Sequence, residues 1–87
     1  MTTATATKPA PAYLSLATKA PTGQPMVKWF SFRTRTDGRV RVQSWVEYTD
    51  AHGRPASGCG DDITQTAPKA RDTYRWALSQ GYAVATR

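Results

Sequence analysis

The sequence predicts an α+β fold in which a small antiparallel sheet of three to four strands carries one C-terminal helix on one face. Residues 27–48 alternate between apolar and polar side chains on either side of a reversal at Thr36-Asp37-Gly38, which indicates a β-hairpin. Helix start and stop signals follow later in the chain and end at Gly81. A chain of 87 residues has room for one small core. We therefore expect residues 12–87 to form a single domain.

The first part of the chain is predicted to contain an arm and one strand. Residues 1–11 consist mainly of Thr, Ala, Lys and Pro, have little apolar surface to bury, and predict a flexible N-terminal arm. Residues 12–17 alternate weakly around Tyr13, Leu14 and Leu16 and predict a first strand. The Pro- and Gly-containing segment 20–25 then ends that strand.

The loop at Thr36-Asp37-Gly38 decides which residues of the two hairpin strands lie opposite each other. A two-residue loop at Asp37-Gly38 pairs Phe32 with Gln43, so that neither face of the hairpin is apolar. A three-residue loop, with Gly38 in the left-handed conformation that glycine adopts at low cost, restores two distinct faces. The apolar pattern therefore selects the three-residue loop.

In this register the two faces of the hairpin differ in chemistry. The apolar face holds Phe30, Phe32, Val40, Val42, Val46 and Tyr48. The opposite face, called the outer face below, carries Trp29, Ser31, Arg33, Arg35, Arg39, Arg41, Gln43 and Trp45. The register pairs Trp29 with Trp45, Arg33 with Arg41, and Arg35 with Arg39. Like charges directly opposite each other destabilise a sheet by up to about 1 kcal/mol, so the arrangement favours a surface that binds a polyanion.

The segment after the hairpin predicts a third strand and a helix. Residues 49–53 have turn chemistry, and residues 54–59 then predict a short, irregular strand in which Pro55 suits a sheet edge. Thr66 as N-cap, Pro68 in the first turn and Gly81 as terminator predict a helix over residues 67–80.

One side of this helix is predicted to pack on the apolar face of the hairpin. The stripe consists of Ala70, Tyr74, Ala77 and Leu78, and we expect it to contact Phe30, Phe32, Val40 and Val42. Trp76 points almost opposite the stripe at 100° per residue and is either covered by a terminal segment or exposed as a partner-binding anchor. Residues 82–86 predict a last short strand, with Tyr82 and Val84 facing inward.

Composition indicates the kind of partner. The net charge of +6 favours anionic partners, and eight of the 12 cationic residues are arginine, which suits bidentate phosphate or carboxylate contacts. The single cysteine, Cys59, excludes an intrachain disulfide and fits a reducing compartment. Neither a membrane-length apolar run nor a signal-peptide layout is present, and we expect a cytoplasmic protein that does not bind membranes.

Catalytic and metal-binding motifs are not apparent. His52, Cys59, Asp61 and Asp62 match no recognised zinc spacing, and Gly58-Cys59-Gly60 lacks the remainder of a phosphate-binding loop. Asp61 and Asp62 are expected to precede the helix and to interact with its dipole. We therefore expect no enzymatic activity, no metal and no cofactor.

Three functional hypotheses follow. In the first, the chain is a nucleic-acid-binding accessory module that prefers single strands to duplex: the four outer-face arginines contact phosphates, Trp29 and Trp45 stack on bases, and Gln43 lies between them. In the second, it is a basic adaptor, subunit or inhibitor that docks an acidic protein, with Trp76 and the tryptophan pair as anchors. In the third, it forms a homo-oligomer through a sheet edge or the tryptophan patch. In the simplest alternative, the outer face binds no partner: the arginines only solvate the exposed hairpin tip, and the N-terminal segment covers the tryptophan pair.

Overall fold

The computed structural model describes residues 11–87, so the predicted arm over residues 1–11 lies outside the described residues except for Pro11. The elements are β1 (Ala12–Lys19), β2 (Pro25–Thr34), β3 (Val40–Thr49), β4 (Pro55–Gln65), α1 (Ala67–Ser79) and β5 (Ala83–Ala85). The antiparallel sheet has the order β4-β3-β2-β1-β5. An antiparallel sheet with one C-terminal helix is therefore confirmed, but the sheet has five strands rather than three or four.

The same three-residue reversal joins each pair of consecutive strands from β1 to β4. In each loop the third residue is a glycine with positive φ: Gly23 at 86°, Gly38 at 85° and Gly53 at 77°. The amide of each glycine donates to the carbonyl oxygen three residues earlier, at 2.8, 3.1 and 3.0 Å respectively. The loop predicted at residues 36–38 is thus confirmed, and two further copies of it give the sheet a regular meander.

The predicted hairpin register is confirmed. Trp29 lies opposite Trp45, and Arg33 lies opposite Arg41. At the loop, the Arg35 amide donates to the Arg39 carbonyl oxygen at 2.7 Å, which brings those two arginines together.

The core lies between α1 and one end of the sheet. Its buried residues are Leu14, Phe32, Val42, Ala70 and Ala77, and its partly buried residues are Phe30, Val40, Tyr74 and Tyr82. The predicted packing of the helix on the hairpin is therefore confirmed. The two buried alanines let the helix lie close to the strands, and burial of each large apolar side chain contributes about 1.5 to 3 kcal/mol. Val46 and Tyr48, predicted on the same face, lie outside this cluster.

The ends of α1 match the predicted signals with one difference. Thr66 is the N-cap, but its side chain makes no capping hydrogen bond. At the other end the Tyr82 amide donates to the Ala77 carbonyl oxygen at 3.1 Å, and Gly81 has a φ of 100°. This C-terminal motif stops the helix and directs the chain to β5 beside β1.

Two residues predicted to face the core are exposed. Leu78 is 42% exposed, so the packed stripe of α1 is narrower than predicted. Val84 is 73% exposed, although it pairs with the buried Leu14. The reason is the position of β5 at the sheet edge, where it has a neighbouring strand on one side only.

Strand β4 differs most from the prediction. Instead of a short strand over residues 54–59, it is a strand of 11 residues that includes Asp61 and Asp62. The two carboxylates therefore lie in the sheet and not before the helix. Glycine and aspartate are unfavourable in strands, which explains why the sequence pattern ends too early.

A β-bulge in β4 explains the presence of these unfavourable residues. Gln43 pairs with Asp62 and Trp45 pairs with Cys59, so Gly60 and Asp61 together lie opposite Ser44. The Asp61 amide donates to Ser44 Oγ at 2.9 Å. A Cβ atom on residue 60 would lie 2.3 Å from the Ser44 carbonyl oxygen, so only glycine fits.

The bulge sets which side chains of β4 face the helix. Beyond it, Ile63 lies opposite Val42 on the helix side, and Asp62 lies opposite Gln43 on the outer face. Without the extra residue, the register of the first half of β4 would place Asp62 opposite Val42 and send Ile63 to the outer face. The bulge therefore keeps the separation of apolar and polar faces along the whole sheet.

We predict that Gly60→Ala destabilises the domain by about 1 to 3 kcal/mol, because the new methyl group collides with the Ser44 backbone. Denaturant unfolding followed by circular dichroism measures the loss. Gly58→Ala is the matched control, since a Cβ there meets only the movable Cγ2 of Val46, at 3.0 Å. An equal or larger loss for Gly58→Ala would contradict the role assigned to the bulge.

Candidate nucleic-acid interface

The predicted outer-face residues share one side of the sheet, opposite the side that α1 covers. Alternation along β2 and β3 brings Trp29 and Arg33 to this side with their partners Trp45 and Arg41. Helix α1 contacts the other side through Phe32 and Val42. The structure therefore brings the candidate residues together and leaves them in two groups, one aromatic and one basic.

The aromatic group lies in the middle of the outer face. The rings of Trp29 and Trp45 are nearly parallel, with an interplanar angle of 8° and 6.0 Å between centroids. Tyr13, from β1, meets Trp29 edge to face at 6.4 Å. Tyr13 was not predicted as a site residue. Side chains alternate along β1, however, so Tyr13 lies on the face opposite to that of its buried neighbour Leu14. Such aromatic contacts add about 0.5 to 1.5 kcal/mol per pair beyond burial.

Arg87 covers the tryptophan pair. Its guanidinium carbon lies 4.9 Å from the ring centroid of Trp29 and 5.2 Å from that of Trp45. The same group donates two hydrogen bonds to Glu47 on β3, at 2.7 and 3.0 Å. These hydrogen bonds from Arg87 lower the pKa of the Glu47 carboxyl below its ordinary value. Neither Arg87 nor Glu47 was predicted as a site residue, because no local pattern connects two positions so far apart in the chain.

Trp29 also has an unusual polar environment. Its Nε1 atom is buried and has no hydrogen-bond partner within residues 11–87. Arg87, which lies over the Trp29 ring, also holds Glu47. The tryptophan pair, Glu47 and Arg87 thus form one compact cluster.

The basic group lies at the β2–β3 end of the outer face. Arg41 donates from Nε to Asp62 Oδ1 at 2.9 Å and from Nη2 to Asp62 Oδ2 at 2.6 Å. This bidentate pair lowers the pKa of Asp62, chiefly through the hydrogen bonds, and raises that of Arg41. Arg35 has only a loose contact, 3.5 Å from Asp37 across an exposed surface.

Arg33 and Arg39 remain without a carboxylate partner. Neither takes part in an ion pair in the part of the chain that the structure describes. Residues 1–10 contain no aspartate or glutamate. The tip of the hairpin therefore carries two exposed cationic side chains that the protein's own acidic residues do not neutralise.

Gln43 lies between the aromatic group and the basic group. It lies between Ser31 on β2 and Asp62 on β4, in a polar row that separates the tryptophans from the arginines. The nearby Gln43 side chain makes a minor contribution to the lowered pKa of Asp62, after that of Arg41. Ser31, in the same row, is buried.

Trp76 lies on the opposite side of the molecule. It is 54% exposed, and its ring meets Phe30 edge to face at 6.3 Å and 88°. It lies alongside Lys69 and Asp72, as the helical periodicity predicts, although its ring also reaches Phe30. Lys69, Asp72, Thr73 and Trp76 line an open cleft of about 270 Å³.

The residues considered for metal binding or catalysis do not form a cluster. Within residues 11–87, no group of three or more His, Cys, Asp or Glu side chains is close enough to hold a metal ion. His52 lies in the β3–β4 loop and Cys59 is exposed on β4. Helix α1, the helix of the described part of the chain, is too short and too polar to cross a membrane.

The chain shows no significant match to any protein-family model, any curated protein or any solved structure. Its function must therefore be inferred from the geometry of its surfaces.

We predict that the two ion-paired carboxylates make stability depend on pH in the acid range. Both pKa values lie below their ordinary values of 4.5 for Glu47 and 3.8 for Asp62. Their contribution is therefore present above those ordinary values and is lost as the pH falls through the lowered pKa values. Thermal unfolding between about pH 7 and about pH 2 measures this loss.

The variant Glu47→Gln/Asp62→Asn should be less stable than wild type near neutral pH and should lose less stability on acidification. Asp61→Asn/Asp72→Asn is the matched control, because those carboxylates make no ion pair within residues 11–87. Parallel pH profiles for wild type and the Glu47/Asp62 variant would show that these ion pairs do not stabilise the fold.

Proposed function

We propose that this chain is a non-enzymatic nucleic-acid-binding module whose outer face binds single strands. The observation that carries the proposal is the uncompensated positive charge at the hairpin tip, where neither Arg33 nor Arg39 has an ion-pair partner within residues 11–87. Arg41, which lies opposite Arg33, is already held by Asp62, so the other two arginines are left to bind an external anion. Phosphate groups that bind these arginines release counterions, which makes a polyanion the natural ligand for the tip.

The aromatic group supports single strands over duplex. Trp29, Trp45 and Tyr13 lie on the same face as the arginines, and aromatic side chains stack on unpaired bases at about 1 to 3 kcal/mol each. A duplex hides the faces of its bases. The one described helix packs on the other side of the sheet, so the outer face offers strands and not a helix to the ligand.

We predict that Arg33→Gln/Arg39→Gln weakens oligonucleotide binding and reduces its salt dependence. If each arginine engages one phosphate of a single strand, the slope of log K against log salt becomes shallower by about 1.4. Fluorescence anisotropy with a labelled oligonucleotide at several salt concentrations gives the slope.

Arg71→Gln/Arg75→Gln is the control for this experiment. It removes the same charge from exposed positions on α1, on the other side of the sheet. Equal effects of the two double variants would mean that only net charge matters. Binding by wild type that does not change with salt would rule out the proposed interface altogether.

A second candidate function is an adaptor for an acidic partner protein. The exposed Trp76 beside the cleft and Lys69 favours it, since tryptophans that anchor interfaces commonly fill a pocket next to charged groups. This surface lies away from the outer face, so the two functions can be separated by substitution.

We predict that Trp45→Ala lowers oligonucleotide affinity roughly 5- to 150-fold, the range that corresponds to one lost stacking contact. Trp76→Ala should leave that affinity unchanged. Both variants must first show the wild-type circular dichroism spectrum. The reverse pattern, with oligonucleotide binding lost only in Trp76→Ala, would place the oligonucleotide on the helix side and contradict the proposed outer-face interface.

A further inference from the structure

Arg87 is bound at its tip by groups from two neighbouring strands. Trp29 belongs to β2, whereas Trp45 and Glu47 belong to β3. Both indole rings lie within about 5 Å of the Arg87 guanidinium carbon, and the Glu47 carboxylate accepts hydrogen bonds from both Nη1 and Nη2. A guanidinium group prefers contacts of these two kinds. The cluster therefore has the composition of a binding site for this chemical group.

The segment that delivers Arg87 is weakly attached to the rest of the fold. Strand β5 has three residues and pairs with β1 alone, from Tyr13 to Ser15. Its central residue, Val84, is exposed and contributes little burial. Short edge elements with few buried contacts open at low free energy, so Arg87 can leave its site without unfolding of the core.

We propose that Trp29, Trp45 and Glu47 form a guanidinium-binding site that Arg87 fills from within the chain, and that Arg87 covers the base-stacking part of the outer face until a nucleic acid displaces it. The second half of this proposal rests on the proposed function, and the first half does not. A base and a guanidinium group compete for the same indole surfaces, so both cannot stack there at once.

The direction in which Arg87→Ala changes oligonucleotide affinity distinguishes this competition from a simple loss of charge. Loss of a positive charge weakens binding to a polyanion. Loss of a side chain that occupies the binding surface strengthens binding, because the competent state no longer has to be opened first. Arg87→Ala does both, and we expect the second effect to dominate.

The first experiment tests the site without any nucleic acid. Tryptophan fluorescence of Arg87→Ala is titrated with ethylguanidinium at constant ionic strength, and with ethylammonium for comparison. We expect a saturable change with ethylguanidinium in Arg87→Ala, none in wild type, and none in Arg87→Ala/Glu47→Gln. A response that is absent from Arg87→Ala, or that persists without Glu47, would overturn the guanidinium site.

The second experiment tests competition. Oligonucleotide affinity is compared among wild type, Arg87→Ala and Arg75→Ala, where Arg75→Ala removes one charge from the far side of the sheet. We expect Arg87→Ala to bind roughly 3- to 10-fold more tightly than wild type, and Arg75→Ala to bind equally or slightly more weakly. Equal or weaker binding by Arg87→Ala would overturn the competition.

These outcomes distinguish the two proposals. Absence of oligonucleotide binding by all three proteins would overturn the proposed function and, with it, the competition. The guanidinium site would then be judged by the ethylguanidinium titration alone.

Discussion

The register of the β2–β3 hairpin is the constraint on which the remaining structure depends. Gly38, with a φ of 85°, closes a three-residue loop that pairs Trp29 with Trp45. Because side chains alternate along a strand, this one choice sends Phe32 and Val42 to the helix and the tryptophans to the outer face. A loop shorter by one residue would mix the two sets, so that neither the core nor the candidate interface would form.

The bulge in β4 carries the same separation to the edge of the sheet. A strand that continued without interruption would place Asp62 opposite Val42 on the helix side, away from Arg41. The extra residue at Gly60 instead places Ile63 beside Val42 and leaves Asp62 free to pair with Arg41. One local irregularity therefore serves both the core and the charge balance of the outer face.

The features that the sequence predicted are those with local causes. The loop at Gly38, the hairpin register and the approximate bounds of α1 depend on residues within a few positions of each other. The second half of β4 was not predictable from propensity, because its glycines and aspartates disfavour strands and are retained for the bulge. Arg87 was missed for a different reason: its contacts with Trp29 and Glu47 depend on the crossover of α1, which brings β5 beside β1.

Positive charge is distributed unevenly along the outer face. Its two ion-paired carboxylates each hold one arginine, so Arg41 and Arg87 are already engaged and the uncompensated charge is concentrated at Arg33 and Arg39. In the proposed interface, an approaching polyanion is attracted first to this tip, where Arg33 and Arg39 are exposed and have no ion-pair partner within the described residues. The aromatic row lies further along the sheet, beyond the polar row of Ser31 and Gln43, and next to a carboxylate that repels phosphate. In the proposed interface, phosphate contacts at the tip and base contacts over the indoles are therefore separate in space, and Arg87 covers only the indoles.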